Sequence, residues 1–111
     1  MLSRGEILTK VNLKKEKISI PEWGGDVFVS QMTGESRDEW ESFLIESKTK
    51  QSKNFRACLV VSTLVDDKGE RIFQFSDIQE VGKLSFSSLD KICEVAQRIN
   101  GIGNQDDIEK N

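Results

Sequence analysis

The chain has no histidine, and that absence removes the commonest general base and the commonest transition-metal ligand. Carboxylates or lysines could still do acid–base work. The acidic residues, however, fall mainly in turns and on the outer faces of expected helices, where solvation explains them. Cysteine is scarce, with two in 111 residues. Cys58 and Cys93 each stand in an apolar run, without a second cysteine or a histidine at ligand spacing, so both read as reduced core residues. No stretch approaches the roughly 18 uninterrupted apolar residues that a bilayer span needs, and MLSRGEILTK lacks the apolar centre of a signal peptide. The expectation is a soluble protein of the cytoplasm. Charge of one sign is not concentrated either. The 16 basic and 19 acidic residues are mixed along the chain and give a net charge of −3, a poor match to a phosphate backbone.

What is present is enough to fold. The chain is 36% hydrophobic and 32% charged, too apolar for disorder and sufficient for one core with a well-solvated exterior. Ser3 precedes Glu6 by the spacing of a capping box, which predicts a short N-terminal helix carrying Ile7 and Leu8. From Lys15 to Ile20, Ile18 and Ile20 alternate with polar residues until Pro21 ends the ladder. After Trp23-Gly24-Gly25, alternation resumes from Asp26 to Met32, so the two runs predict an antiparallel hairpin.

Thr33, or Ser36 with Glu39 behind it, caps the next helix, on which Trp40, Phe43 and Leu44 share a face. Arg37 with Glu41 and Glu46 with Lys50 are four apart and read as solubilising pairs. The polar run Lys48–Lys53 reads as a loop. Ala57–Val65 is apolar on all sides and therefore central. Its Val and Thr content favours strand, its length helix, and helix is the expectation adopted here. Asp66-Asp67-Lys68-Gly69 is a turn without calcium-ligand spacing. Ser76 and Gln79 predict a capping box for a short helix carrying Ile78 and Val81. The last helix starts at Ser85 or Ser87, turns Leu89, Ile92, Cys93, Ala96 and Ile99 inward against Leu59, and stops at Gly101. Gly101-Ile102-Gly103 follows a helix and lacks a third glycine, so it is not a nucleotide loop. The resulting fold class is α+β, with an N-terminal antiparallel β-hairpin packed on a bundle of about four helices, one domain over residues 1–103 and a flexible polar tail over 104–111.

The order of these motifs carries a resemblance. Pro21-Glu22-Trp23-Gly24-Gly25 is joined by a strand to Met32-Thr33-Gly34 and Arg37-Asp38. An aspartate-glycine turn then leads to Phe73 and Asp77, and Val95-Ala96-Gln97-Arg98 leads to Gly101. This succession, over nearly the whole chain, resembles the tail assembly chaperone family of long-tailed bacteriophages and prophages, as its short product. The resemblance implies a non-catalytic factor without cofactor or metal. It would bind the tape measure protein in the host cytoplasm while tail tube subunits polymerise, and be missing from the finished virion. A longer frameshifted form of the chain and a homo-oligomer are further implied partners, and nucleic acid and membrane are not. Lys110-Asn111 is compatible with an adenine-rich slippery sequence. A tail completion or connector subunit is the main competing reading, and a small nucleic-acid-binding regulator a weaker one. For contact with a partner the candidates are Trp23, in a turn before two glycines, and Trp40, at the border of a charged helical face. Core packing is the simpler reading of both.

Overall fold

The computed structural model describes residues 1–10, 12–45 and 54–102 in full, and the backbone of 46–48. The expected loop beyond Lys48, the Glu46–Lys50 pair and the polar tail lie outside the fully described residues.

The N-terminal helix α1 spans Arg4–Leu8 and is closed by the expected capping box, Ser3 Oγ accepting from Glu6 N at 3.2 Å and Glu6 Oε1 from Ser3 N at 3.3 Å. None of its residues is buried. Strands β1 (Lys15–Ile20) and β2 (Gly25–Ser30) pair antiparallel with Ile18 opposite Val27 and Ile20 opposite Gly25. Alternation turns Glu16, Ile18 and Ile20 toward the body and Lys15, Lys17 and Ser19 away. The hairpin closes through a single 3₁₀ turn at Pro21–Trp23, ended by Gly24 at φ +74°, a conformation that glycine adopts without steric strain.

Helix α2 spans Gly34–Lys48, so its last turn includes Lys48, where a loop was expected. Its cap is Thr33, whose Oγ1 accepts from Ser36 N at 3.0 Å. Ser36 lies inside the helix, and its Oγ accepts from Arg71 Nη2 instead. Helix α3 (Phe55–Thr63) is the central element, with eight of its nine residues buried and only Arg56 reaching outward. Burying a large aliphatic or aromatic side chain stabilises by about 1.5–3 kcal/mol, so this helix anchors the core. The helix expectation for Ala57–Val65 holds only to Thr63. Leu64–Val65 forms a short strand, β3, with Phe28 opposite Val65 and Val29 opposite Leu64. Ser62 and Thr63 donate their hydroxyls to the carbonyls of Cys58 and Leu59, at 2.9 and 2.7 Å, so that both buried hydroxyls have partners inside the core.

The Asp66–Gly69 turn forms as expected, with Asp66 Oδ1 accepting from Lys68 N and Glu70 N at 2.9 Å each. The short helix α4 (Ile78–Val81) has a different start from the expected one. Gln74 and Asp77, not Ser76 and Gln79, make the reciprocal capping bonds, around a 3₁₀ turn at Phe75–Asp77. Phe75 draws the chain in two residues early by packing on Phe43, 5.8 Å between ring centres. Helix α5 (Phe86–Asn100) is capped by Ser85 and ended by Gly101 at φ +63°. Ile92, Cys93 and Ala96 are buried as expected, and Ile99 packs at the edge of the core. The fold is α+β: among the described residues, a three-stranded antiparallel sheet in the order β1-β2-β3 and five helices, of which α2 to α5 build the body and α1 stands apart from it.

Candidate partner-binding surface

Trp23 sits on the 3₁₀ turn that closes the hairpin and is 36% exposed. The turn is held by Glu22. Its carboxylate accepts from Ser85 Oγ at 2.7 Å and Ser87 Oγ at 2.8 Å, across more than sixty residues of sequence. Ser85 Oγ also accepts from Ser88 N at 3.3 Å, so a single hydroxyl caps α5 and tethers the hairpin to it. Hydrogen bonds from Ser85, then Ser87 and Ser88, hold the Glu22 carboxyl below its ordinary value of 4.5. The carboxylate also lies where the positive end of the α5 dipole favours it. The tether brings the Trp23 turn to the start of α5, where Phe86 is 63% exposed and Leu84 lies open beside it. Arg56 covers one face of the Phe86 ring at 4.7 Å and pairs with Asp90 at 3.5 Å. Trp23, Leu84 and Phe86 are thus exposed apolar side chains on the two segments that the Glu22 hydrogen bonds join, with Arg56 and Asp90 beside Phe86.

Trp40 is elsewhere. At 1% exposure it is a core residue, edge-on to Phe55 with ring centres 6.0 Å apart and the Arg37 guanidinium 5.5 Å from its ring. Its Nε1 has no hydrogen-bond partner among the described residues. Of the two sequence candidates only Trp23 reaches solvent, because α2 turns Trp40 inward on the same face as Phe43 and Leu44. Phe86 was not legible as a surface residue: it lies between serines that signal a helix start, and only Glu22 reveals that the hairpin tip meets them.

A second region among the described residues is occupied by structural bonds. A shallow groove of about 550 Å³ is lined by Lys14, Lys15, Glu16, Gln31, Arg98 and Ile99. There Arg98 Nη2 meets Glu16 Oε2 at 2.7 Å, Lys15 donates to the Asp67 carbonyl, and Gln31 donates to the Ile99 carbonyl. Cys58 and Cys93 are free and buried, and burial pushes both thiols up to about 12, which keeps them as unreactive thiols at neutral pH. Among the described residues no group of three or more histidine, cysteine, aspartate or glutamate side chains is placed to hold a metal ion, and no helix is long and apolar enough to cross a membrane.

Among solved structures, the chain is similar to the bacteriophage HK97 tail assembly chaperone, with a TM-score of 0.62 and 16% identity over 78% of this chain and 85% of that one. The two share a fold. The tail assembly chaperone fold thus matches the family that the order of sequence motifs resembles, although so few residues are common to the two chains. No protein-family model and no curated protein matches the sequence.

Proposed function

We propose that the chain is a tail assembly chaperone of a long-tailed bacteriophage or prophage, a non-catalytic protein that keeps the tape measure protein soluble in the host cytoplasm while tail tube subunits polymerise around it. The observation that carries this reading is the fold shared with the HK97 chaperone over most of both chains. Physical chemistry supports it. A long helical protein with an apolar stripe aggregates until the stripe is covered, and Trp23, Leu84 and Phe86 are exposed apolar side chains of the kind that receive such a stripe. Aromatic anchors dominate binding at such surfaces, at about 2 kcal/mol or more each. In this reading the domain covers residues 1–103, a longer frameshifted form continues beyond it, and neither remains in the virion.

Co-expression with the tape measure protein of the same phage tests the proposal. The chain is expected to raise the soluble fraction of that protein, and Trp23→Ala and Phe86→Ala to lower it while their own circular dichroism stays unchanged. Equal solubility with and without the chain would remove the chaperone role. Mass spectrometry of purified particles separates a chaperone from a completion or connector subunit, since only the subunit is present in stoichiometric amount.

A further inference from the structure

The sheet has one covered edge and one open edge. Beyond β3 the chain returns along it, with Val65 bridging Arg71 and Ile72 N donating to the Leu64 carbonyl at 3.2 Å. Strand β1 has β2 on one side and, among the described residues, no strand on the other. Its pairing fixes which groups face outward. Gln31 N donates to the Lys14 carbonyl at 2.8 Å, and bonded pairs alternate along an antiparallel ladder. Glu16, Ile18 and Ile20 therefore bond β2 through their backbone, and the backbone groups of Lys15, Lys17 and Ser19 point to the open edge. The Ser19 carbonyl accepts from Lys91 Nζ at 2.6 Å. The N–H and C=O of Lys15 and Lys17 have no backbone partner among the described residues, and an unpaired edge of this kind is a template for an extended segment.

The chain carries a segment whose residue order matches that edge. Helix α5 runs back along β1, with Lys91 at Ser19 and Arg98 at Glu16, so it ends beside Lys14. Ile99 lines the groove there with Lys14 and Lys15, and Ile102 is buried just beyond it. From Ile102 to Asp106 the chain spans about 13 Å when extended. Composition alone makes residues 104–111 a free polar tail, but the order of their charges gives them a place. Asp106-Asp107-Ile108-Glu109 sets three acids and one apolar residue against Lys14-Lys15-Glu16-Lys17, three lysines and one acid. Residues level with one another on adjacent strands share a face. In this register each carboxylate meets an ammonium, and Ile108 lies beside Glu16 on the face turned toward the body. A slip of one residue in either direction sets a carboxylate against Glu16. Lys14 has no ion-pair partner among the described residues. Lys15 donates to the Asp67 carbonyl and Lys17 pairs with Asp26, and an ammonium has three donors, so each can take a second acceptor.

We propose that residues 106–109 add to the open edge of β1 as a fourth strand, parallel to it, with Asp106 at Lys14, Asp107 at Lys15 and Glu109 at Lys17. The Lys15 and Lys17 amides then donate to the carbonyls of Asp106 and Ile108, and the amides of Ile108 and Lys110 donate to the carbonyls of Lys15 and Lys17. The added strand closes an edge that would otherwise recruit a foreign one. The inference rests on backbone direction and charge order, independently of the tail assembly role.

Hydrogen exchange of the full chain, read at single amides by NMR, tests the pairing. Lys15 and Lys17 should be protected, and removing residues 104–111 should speed their exchange about tenfold or more while Glu16 and Ile18, bonded to β2, keep theirs. Asp106→Lys with Asp107→Lys and Glu109→Lys should have the same effect. Adding Lys14→Glu, Lys15→Glu and Lys17→Glu to that variant should restore protection, since reversed charges again meet their opposites. Ile108→Pro keeps every charge and removes a ladder donor, so it too should abolish protection. Equal protection of Lys15 and Lys17 with and without residues 104–111 overturns the proposal. So does protection that survives Ile108→Pro, because attraction between charges alone would then account for it. Protection that requires raised protein concentration also overturns it, since the strand then comes from a second copy. None of these readouts involves the tape measure protein, so either proposal can fail alone.

Discussion

At the scale of single residues the two tryptophans show how alike sequence contexts diverge. Both stand near charged neighbours. Trp40 is buried against Phe55, and its replacement by alanine should destabilise by about 3–5 kcal/mol in urea unfolding, as large-to-small core substitutions do. Trp23→Ala should lower the unfolding midpoint less than Trp40→Ala does, because Trp23 is already 36% exposed. Glu22 makes a second residue-scale prediction. Its folded value is depressed, so its contribution to stability is complete above the ordinary value of 4.5 and is lost as pH falls through the lower folded value. Carbon-detected NMR should find its titration midpoint below that of an unstructured glutamate. Ser85→Ala should raise the midpoint most, because Ser85 supplies the largest part of the depression.

At the scale of elements, stability is uneven. Helix α3 is enclosed on all sides, and α5 is held at both ends. At its C-terminus Asn100 Oδ1 accepts from Met32 N at 2.7 Å, its Nδ2 donates to the Ser30 carbonyl at 3.3 Å, and Arg37 Nη1 reaches the Asn100 carbonyl at 3.0 Å. Asn100→Ala should cost about 2 kcal/mol, since it leaves a half-buried backbone donor and acceptor without partners. Hydrogen exchange should order the helices. Amides of α3 should exchange only on global unfolding and those of α1 fastest, because α1 buries nothing.

For the whole molecule, the two buried thiols tie stability to alkaline pH. Both are raised from 9.0 to about 12 by burial, so the folded state holds these protons longer than the unfolded one. Stability is then complete below the unfolded thiol value and declines as pH climbs from about 9 toward 12. Chemical denaturation across that range should show the decline, and it should be shallower in Cys93→Ala than in the parent after allowance for the lost packing. Alkylation of native protein at neutral pH should be slow and limited by unfolding.

Local chemistry determined much of this protein. The Ser3–Glu6 capping box, the Lys15–Ile20 alternation, the Asp66–Gly69 turn and the inward face of α5 each depend on residues within a turn or two of one another, so spacing alone reveals them. The early start of the Phe75–Asp77 turn, the strand at Leu64–Val65, the Asn100 clamp and the joining of the Trp23 turn to the start of α5 were decided only by the tertiary structure. Each depends on a partner far along the chain: Phe43 for Phe75, Val29 for Leu64, Met32 for Asn100 and Ser85 for Glu22. A sequence pattern records which faces are apolar but not which distant group meets them, and at these four places that meeting sets the backbone or the exposed surface.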